Sequence, residues 1–368
     1  MFQPIVAPYR IDLVNKLAET YDMKLCLLLK NLKTQKFNIE ELYRQRLNIV
    51  PNYLLDKKHI LGIDVPSQIY DAISTFNPDV VLVWEYGIVT WQVILYRIFH
   101  NAKYKIISLV DDSYDMLVSK RFISQRHRIS MRLAMPFLDK VINVEPRATE
   151  WYKLKYNKGF FFPIVGDDNY YRKRLEQVLP ISQEYVAKYN LKGKKVLLFV
   201  GRLVPEKNIS TAINAYKKAK RNNTVFIIIG DGIEKEKLSA IADGDSSILM
   251  PGRYEGDELY AWYNVANVFI LPSMIEPFGA VTNEALLAGC YSLISKHAGS
   301  SCLISENSNG NLIDPFDEGD ITEKINIAFN STTGIETPLC VKHNYMGKSF
   351  ENYFNGLNTE ILNTLHIN

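Results

Sequence analysis

The sequence predicts an α/β protein built from two doubly wound domains, and three observations lead there. At 368 residues the chain is too long for one ordinary core, which makes two domains the expectation. Short runs of β-branched and apolar residues alternate with amphipathic helical patterns along most of the length, as parallel strands with crossover helices require. Residues 268–288 condense the pattern into an apolar run (VFIL), a turn and a helix, with a carboxylate on either side of the turn.

Composition narrows the class. A hydrophobic share of 47% with 23% charged residues suits a globular chain, and no run of about 20 apolar residues offers a membrane span. The start, MFQPIVAPYR, lacks a basic stretch leading into an apolar one, so no secretory signal is expected. Cys26, Cys290, Cys302 and Cys340 form no C-x-x-C pair and read as reduced, mostly buried thiols of a cytoplasmic protein without a zinc site. Residues 1–160 hold 23 basic and 16 acidic side chains against a whole-chain net charge of +3, so the first half is the basic one and points to an anionic partner. No nucleic-acid-binding signature is present.

In chain order, residues 2–8 read as the tail of a strand that ends in the loop Ala7-Pro8-Tyr9-Arg10. That strand reads as short, since Met1 stands almost at its end. A helix follows, with Ile11, Leu13, Val14 and Leu17 as its apolar face. Residues 24–29 form a second strand, and 30–60 carry a loop with an outer strand or helix. A helix over 66–76 and a turn at Asn77-Pro78-Asp79 lead to a buried strand, 80–84. The loop at Glu85-Tyr86-Gly87 precedes a helix over 90–99, and a strand over 104–110 ends in Asp111-Asp112-Ser113. In a doubly wound sheet ligands sit beyond the carboxyl ends of strands, where Glu85, Asp111 and Asp112 all fall. The paired aspartates suit a ligand-facing carboxylate in preference to a metal site or a helix cap. Residues 119–137 read as one basic helix, with apolar positions Phe122, Ile123, Ile129, Leu133 and Met135 and cations Lys120, Arg121, Arg126, Arg128 and Arg132. It is either a solvated surface helix or a patch for an anionic membrane surface over 119–135. His127 within it reads as a polar surface residue. A strand over 141–144, a helix over 151–156 and a strand over 160–163 complete the first domain, 1–165. A charged stretch, 170–195, links it to the second domain, 166–349.

The second half opens with a strand over 195–200 and the loop Gly201-Arg202-Leu203-Val204-Pro205-Glu206-Lys207-Asn208. Arg202 and Lys207 bring two cations to a strand's carboxyl end, enough to meet a diphosphate. Glu206 is expected to orient one of them or to cap the following helix. A strand over 225–229 ends in Gly230-Asp231-Gly232, a common turn on its own. Asp243-Gly244-Asp245 follows a helix among polar residues and reads as a surface loop. A strand over 248–250 leads into Gly252-Arg253-Tyr254, and a helix over 257–266 precedes the central strand. Glu276 stands at the end of that strand and Glu284 in the first turns of the next helix. Between them the amides of Phe278, Gly279 and Ala280 face out at a helix start, an anion site by geometry and dipole. An acid near a helix start is also an ordinary dipole arrangement. Two carboxylates flanking an anion site nevertheless suit a nucleotide diphosphate sugar, with hydroxyls on both sides of its phosphates. A strand over 291–295 and helices over 320–330 and 345–364 follow, and 330–345 is irregular.

The stretch EPFGAVTNEA, with its E-x7-E spacing, and the loop GRLVPEKN resemble the retaining glycosyltransferases of family 4, group 1 enzymes of bacterial polysaccharide type with the GT-B architecture. The likeness is strong over 196–313 and only patterned before 165. It implies two Rossmann-like domains facing across a cleft, the last helix (350–368) crossing back onto the first. It also implies transfer of a sugar from a UDP- or GDP-sugar to an acceptor hydroxyl, without a cofactor or obligate metal. Carried over residue by residue, Glu276, Asp111, Lys207 and Arg202 take the catalytic positions. Donor contacts fall to Arg202, Lys207, Gly230, Arg253, Tyr254, Glu276, Phe278, Gly279, Ala280 and Glu284, with the nucleobase at Arg253-Tyr254. Tyr9, Arg10, Glu85 and Asp112 face the acceptor. A lipid-linked glycan acceptor at the inner face of the cell membrane is the implied setting. A nucleotide-sugar epimerase of the same architecture and a non-catalytic nucleotide-sugar-binding subunit remain open as other readings.

Overall fold

The computed structural model describes residues 1–31, 39–60, 62–119, 123–219 and 222–366. The chain divides into two compact units, Met1–Pro163 with Glu351–Asn368, and Ile164–Phe350.

The first unit begins with β1 (Phe2–Gln3), a 3-10 turn at Pro8–Arg10 and α1 (Ile11–Thr20). Ile11, Leu13, Val14 and Leu17 are buried along one face of α1, the helical spacing read from the sequence. β2 (Cys26–Leu27), α2 (Ile39–Arg46) and β3 (Asn52–Tyr53) follow, and β1, β2 and β3 form a parallel three-stranded sheet. The polar run after it holds an antiparallel hairpin, β4 (Lys57–Ile60) and β5 (Ile63–Pro66). Next come α3 (Ile69–Phe76), β6 (Val80–Trp84), α4 (Ile88–Phe99), β7 (Lys105–Val110), α5 (Tyr114–Ser119), α6 (Gln125–Ala134), β8 (Lys140–Asn143), α7 (Pro146–Tyr156) and β9 (Gly159–Phe161). Strands β6 to β9 pair in sequence order, all parallel.

The single basic helix expected over 119–137 is not formed. α5 ends at Ser119, and α6 starts afresh because Ser124 caps it, its hydroxyl accepting the His127 amide at 3.1 Å. Of the apolar positions read there, Ile123 and Met135 are buried while Ile129 and Leu133 are each 58% exposed. Lys120, Arg121 and Phe122 lie outside the described residues. α7 begins five residues before the helix read at 151, because Pro146 occupies a first-turn position where its missing N–H is harmless.

The second unit opens with α8 (Asp168–Gln177) and α9 (Leu179–Lys188), where the sequence read a charged linker. It continues with β10 (Lys195–Val200), α10 (Ile209–Ala219), β11 (Thr224–Ile229), α11 (Lys235–Ala242), β12 (Ile248–Gly252), α12 (Gly256–Val265), β13 (Val268–Leu271), α13 (Val281–Leu287), β14 (Tyr291–Ser295), β15 (Gly310–Ile313) and α14 (Glu318–Ser331). Its six strands are parallel in the order β12-β11-β10-β13-β14-β15. Such a sheet is covered on both faces, which is why β10, β11 and β13 read as nearly continuous apolar runs. β10 and β13 are central neighbours, so the loops leaving their carboxyl ends emerge side by side.

The last helix, α15 (Phe350–His366), belongs to the first unit from Glu351 onward. Phe354, Leu357 and Ile361 are buried, and Lys140 pairs with Glu360 at 2.5 Å. Cys26 and Cys290 are buried, whereas Cys302 and Cys340 are exposed, so only half of the cysteines follow the buried expectation.

Candidate functional site

In the second unit the loop after β10 turns through a single 3-10 turn at Pro205–Lys207. The Glu206 carbonyl accepts the Met274 amide at 2.9 Å, which laces this loop to the one after β13. Lys207 and Glu276 thereby meet: the ammonium donates to the carboxylate, and each side chain is only 14% exposed. The Ser273 hydroxyl, fully buried, stands 3.4 Å from the same carboxylate oxygen. Glu206, expected to orient Arg202 or Lys207 or to cap the following helix, pairs with neither cation among the described residues; its side chain is exposed and Glu276 pairs with Lys207. Arg202 is exposed and forms no ion pair among the described residues.

Glycine geometry brings the loops close. A Cβ on Gly230 would stand 1.9 Å from the Gly201 carbonyl oxygen, and one on Gly232 would stand 2.3 Å from that of Leu203. The Gly-Asp-Gly turn therefore packs directly on the Arg202 loop, and no side chain fits at either glycine. Gly279 has φ +91° and faces Leu271, whose Cδ2 would lie 2.6 Å from an added Cβ. That glycine lets the chain reverse from Glu276 into α13. The amides of Phe278, Gly279 and Ala280 donate to no protein acceptor among the described residues. Glu284 lies in the first turn of α13 and accepts a 2.8 Å hydrogen bond from the Tyr263 hydroxyl, itself fully buried on α12. Arg253 is exposed and paired with Glu255. Tyr254 packs against Tyr185, Tyr189 and Trp262.

In the first unit the carboxyl ends of β6 and β7 carry a second cluster. Arg10 is 2% exposed and donates to Asp111 at 2.5 Å. Its guanidinium lies over the Trp84 ring at 5.6 Å, and its Nε and Nη1 have no acceptor among the described residues. Asp112 accepts from the Tyr152 hydroxyl at 3.0 Å, which itself accepts from Tyr86 at 3.0 Å. His127, read as a surface residue, sits between Asp112 at 3.4 Å and Glu85 at 3.8 Å. No local signal marks it: a histidine in a basic helix looks the same whether that face meets water or two carboxylates. Glu85 adopts a left-handed backbone, φ +51°, unusual for a non-glycine residue and held by ties from Ser108 and Thr90 to its carbonyl. Tyr9 is 36% exposed on the neighbouring turn.

Electrostatics follow from this crowding. Burial pushes the Glu85 carboxyl up to about 7, Asp112 adds to the rise, His127 opposes it, and Asp111 adds a little more. The hydrogen bond to Asp112 raises His127 above its ordinary value, against burial, with the charges of Asp112 and Glu85 helping. Both folded values exceed the unfolded ones, so the folded state holds more protons and stability falls as pH rises. For Glu85 the fall spans the window from 4.5 through about 7. Melting temperature measured against pH should decline across that window, and Glu85→Gln should flatten the decline. A variant that declines as steeply as the wild type would remove Glu85 as the source.

Residues 182–344 match the family model described as glycosyl transferases group 1. That segment holds β10 to α14, and with them the whole Lys207–Glu276 arrangement. The chain is similar to the lipopolysaccharide 1,2-N-acetylglucosaminetransferase of Salmonella typhimurium, 30% identical over 36% of this chain and 39% of that protein. It is 24% identical to the GDP-mannose-dependent alpha-mannosyltransferase of Mycolicibacterium smegmatis over 73% of this chain and 70% of the other. Among solved structures, Anabaena HepE in complex with UDP superposes with a TM-score of 0.68 at 17% identity, covering 89% of each chain. The fold is therefore the α/β GT-B fold of two Rossmann-like units. Against the first of these relatives the match reaches well under half of the relative's length. No helix among the described residues is long and apolar enough to cross a membrane.

Proposed function

We propose that this protein is a retaining glycosyltransferase that takes a sugar from a UDP- or GDP-sugar bound by the second unit and transfers it to an acceptor hydroxyl bound by the first. The observation that carries the reading is the Lys207–Glu276 pair at the adjoining ends of β10 and β13, with Arg202 exposed on the same loop as Lys207. The hardest charge to manage is that of the departing diphosphate. Arg202, Lys207 and the amides of Phe278, Gly279 and Ala280 stabilise it electrostatically, work that a metal ion does elsewhere. Glu276 holds sugar hydroxyls and Glu284, oriented by Tyr263, the ribose. In the first unit Arg10, Asp111 and the Glu85–His127–Asp112 cluster receive the acceptor. The likeness to a lipopolysaccharide transferase and a GDP-mannose-dependent transferase supports a lipid-linked glycan acceptor in surface polysaccharide assembly at the inner membrane face.

Thermal unfolding with a panel of UDP, GDP and their glucose and mannose conjugates tests this, with EDTA and with magnesium. A nucleotide at 100 times its Kd stabilises the folded state by about 2.7 kcal/mol, and the same shift is expected in EDTA. Stabilisation by UDP or GDP names the base. No shift with any nucleotide would overturn the donor assignment.

A further inference from the structure

Residues 339–346 form neither helix nor strand, yet they hold the ends of the two helices that make the Tyr263–Glu284 contact. An α-helix leaves its last four carbonyls without partners inside the helix. α12 ends at Val265, and the Lys342 ammonium donates to the carbonyls of Asn264 at 2.9 Å, Tyr263 at 3.2 Å and Ala266 at 2.5 Å. A cation there also meets the negative end of the helix dipole. Burial lowers its affinity for a proton, with Cys290 and Cys340 opposing the change, so the three carbonyls are what stabilise the charge in place. The same segment reaches α13. The Tyr345 amide donates to the Leu286 carbonyl at 2.9 Å, and Arg172 donates to the carbonyls of Lys342 at 2.5 Å and Leu287 at 3.3 Å. Gly289, at φ +73°, lets the segment lie against the end of α13: a Cβ there would stand 2.4 Å from the His343 carbonyl oxygen. Tyr263 is fully buried in the last turn of α12, so its hydroxyl moves only as that turn moves.

We propose that Lys342 is a positioning residue of the donor site: by fixing the last turn of α12 it holds the Tyr263 hydroxyl on Glu284 and so sets that carboxylate toward the ribose hydroxyls. The inference rests on the reading of Glu284 as the ribose contact. The measurement is the Kd of UDP and of GDP against that of their 2′,3′-dideoxy forms, which lack those hydroxyls. The wild type is expected to bind the nucleotide it accepts about tenfold or more tighter than the dideoxy form, as hydrogen bonds to a carboxylate give. Lys342→Met, unbranched and of similar length, should reduce that ratio to about threefold or less while changing the dideoxy affinity by about twofold or less. Lys342→Gln keeps an N–H donor for the carbonyls, should fall between the two, and carries the test where Lys342→Met does not fold. Tyr263→Phe should lower the ratio as far, and adding Lys342→Met to it should lower it no further, since both act through one carboxylate. Ile325→Val, at a buried position of α14, lowers stability and should leave the ratio unchanged. A wild-type ratio in Lys342→Met would overturn the inference and leave the donor reading standing. Equal weakening of both nucleotide forms in that variant would make Lys342 a determinant of stability alone and overturn the inference too. A wild type that binds both forms alike would overturn the ribose contact, and one that binds no nucleotide would overturn the donor reading; the inference falls with either.

Discussion

Replacing Lys207 with alanine is expected to lower turnover about 100-fold or more, and Glu276→Ala to do the same, for opposite electrostatic reasons. In the free protein the two side chains neutralise each other inside a mostly buried pair. Lys207→Ala leaves the Glu276 carboxylate facing the diphosphate with the Ser273 hydroxyl as its side-chain hydrogen-bond donor among the described residues. Nucleotide binding should then weaken along with turnover, through lost attraction and added repulsion. Glu276→Ala instead frees the ammonium for the diphosphate. UDP or GDP should bind as tightly as before or tighter, while transfer collapses because the sugar has lost its anchor. The pair of measurements, turnover with the stabilising donor and nucleotide Kd, thus separates the roles. Because the side chains touch, the double variant should cost less than the product of the single losses. Near-normal turnover in both single variants would sink the assignment.

The contrast between legible and illegible features has a physical basis. Strands β6 and β10 were readable to the residue because both are unbroken apolar runs, bounded by turn residues, in sheets covered on two faces. The stripe of α1 was readable for the matching reason at helical period. Glu276, Lys207 and Arg202 could be singled out by motif, and their elements by pattern. The contact between Lys207 and Glu276 could not, since it depends on β10 and β13 being neighbours although their sequences lie far apart. The same holds for Tyr263, one aromatic of a helix whose hydroxyl meets Glu284 only through packing. The break between α5 and α6 was legible in principle, because Ser124 opens a capped helix; the periodic cations on both sides masked it. The hairpin of β4 and β5 lies in a polar stretch without a period to read.

Asp111→Ala is expected to destabilise the protein by about 3–5 kcal/mol, the cost of leaving a buried charge without its partner. Arg10 is the reason. It is 2% exposed, its Nε and Nη1 already lack acceptors among the described residues, and Asp111 is the carboxylate that compensates it. Removing that carboxylate strands a guanidinium against the Trp84 ring in a medium that solvates it poorly. The converse change is milder. Arg10→Met leaves Asp111, 18% exposed, with partial access to water. Arg10→Met combined with Asp111→Leu removes both charges and fills much of the volume, and should be more stable than Asp111→Ala alone. Urea unfolding followed by tryptophan fluorescence measures all three, with Trp84 reporting from beside the pair. A cost below about 1 kcal/mol for Asp111→Ala would place the pair with ordinary surface salt bridges. On the proposed function, the Nε and Nη1 of Arg10 that lack partners among the described residues receive acceptor oxygens. The same variants should therefore lose acceptor saturation more steeply than they lose nucleotide stabilisation.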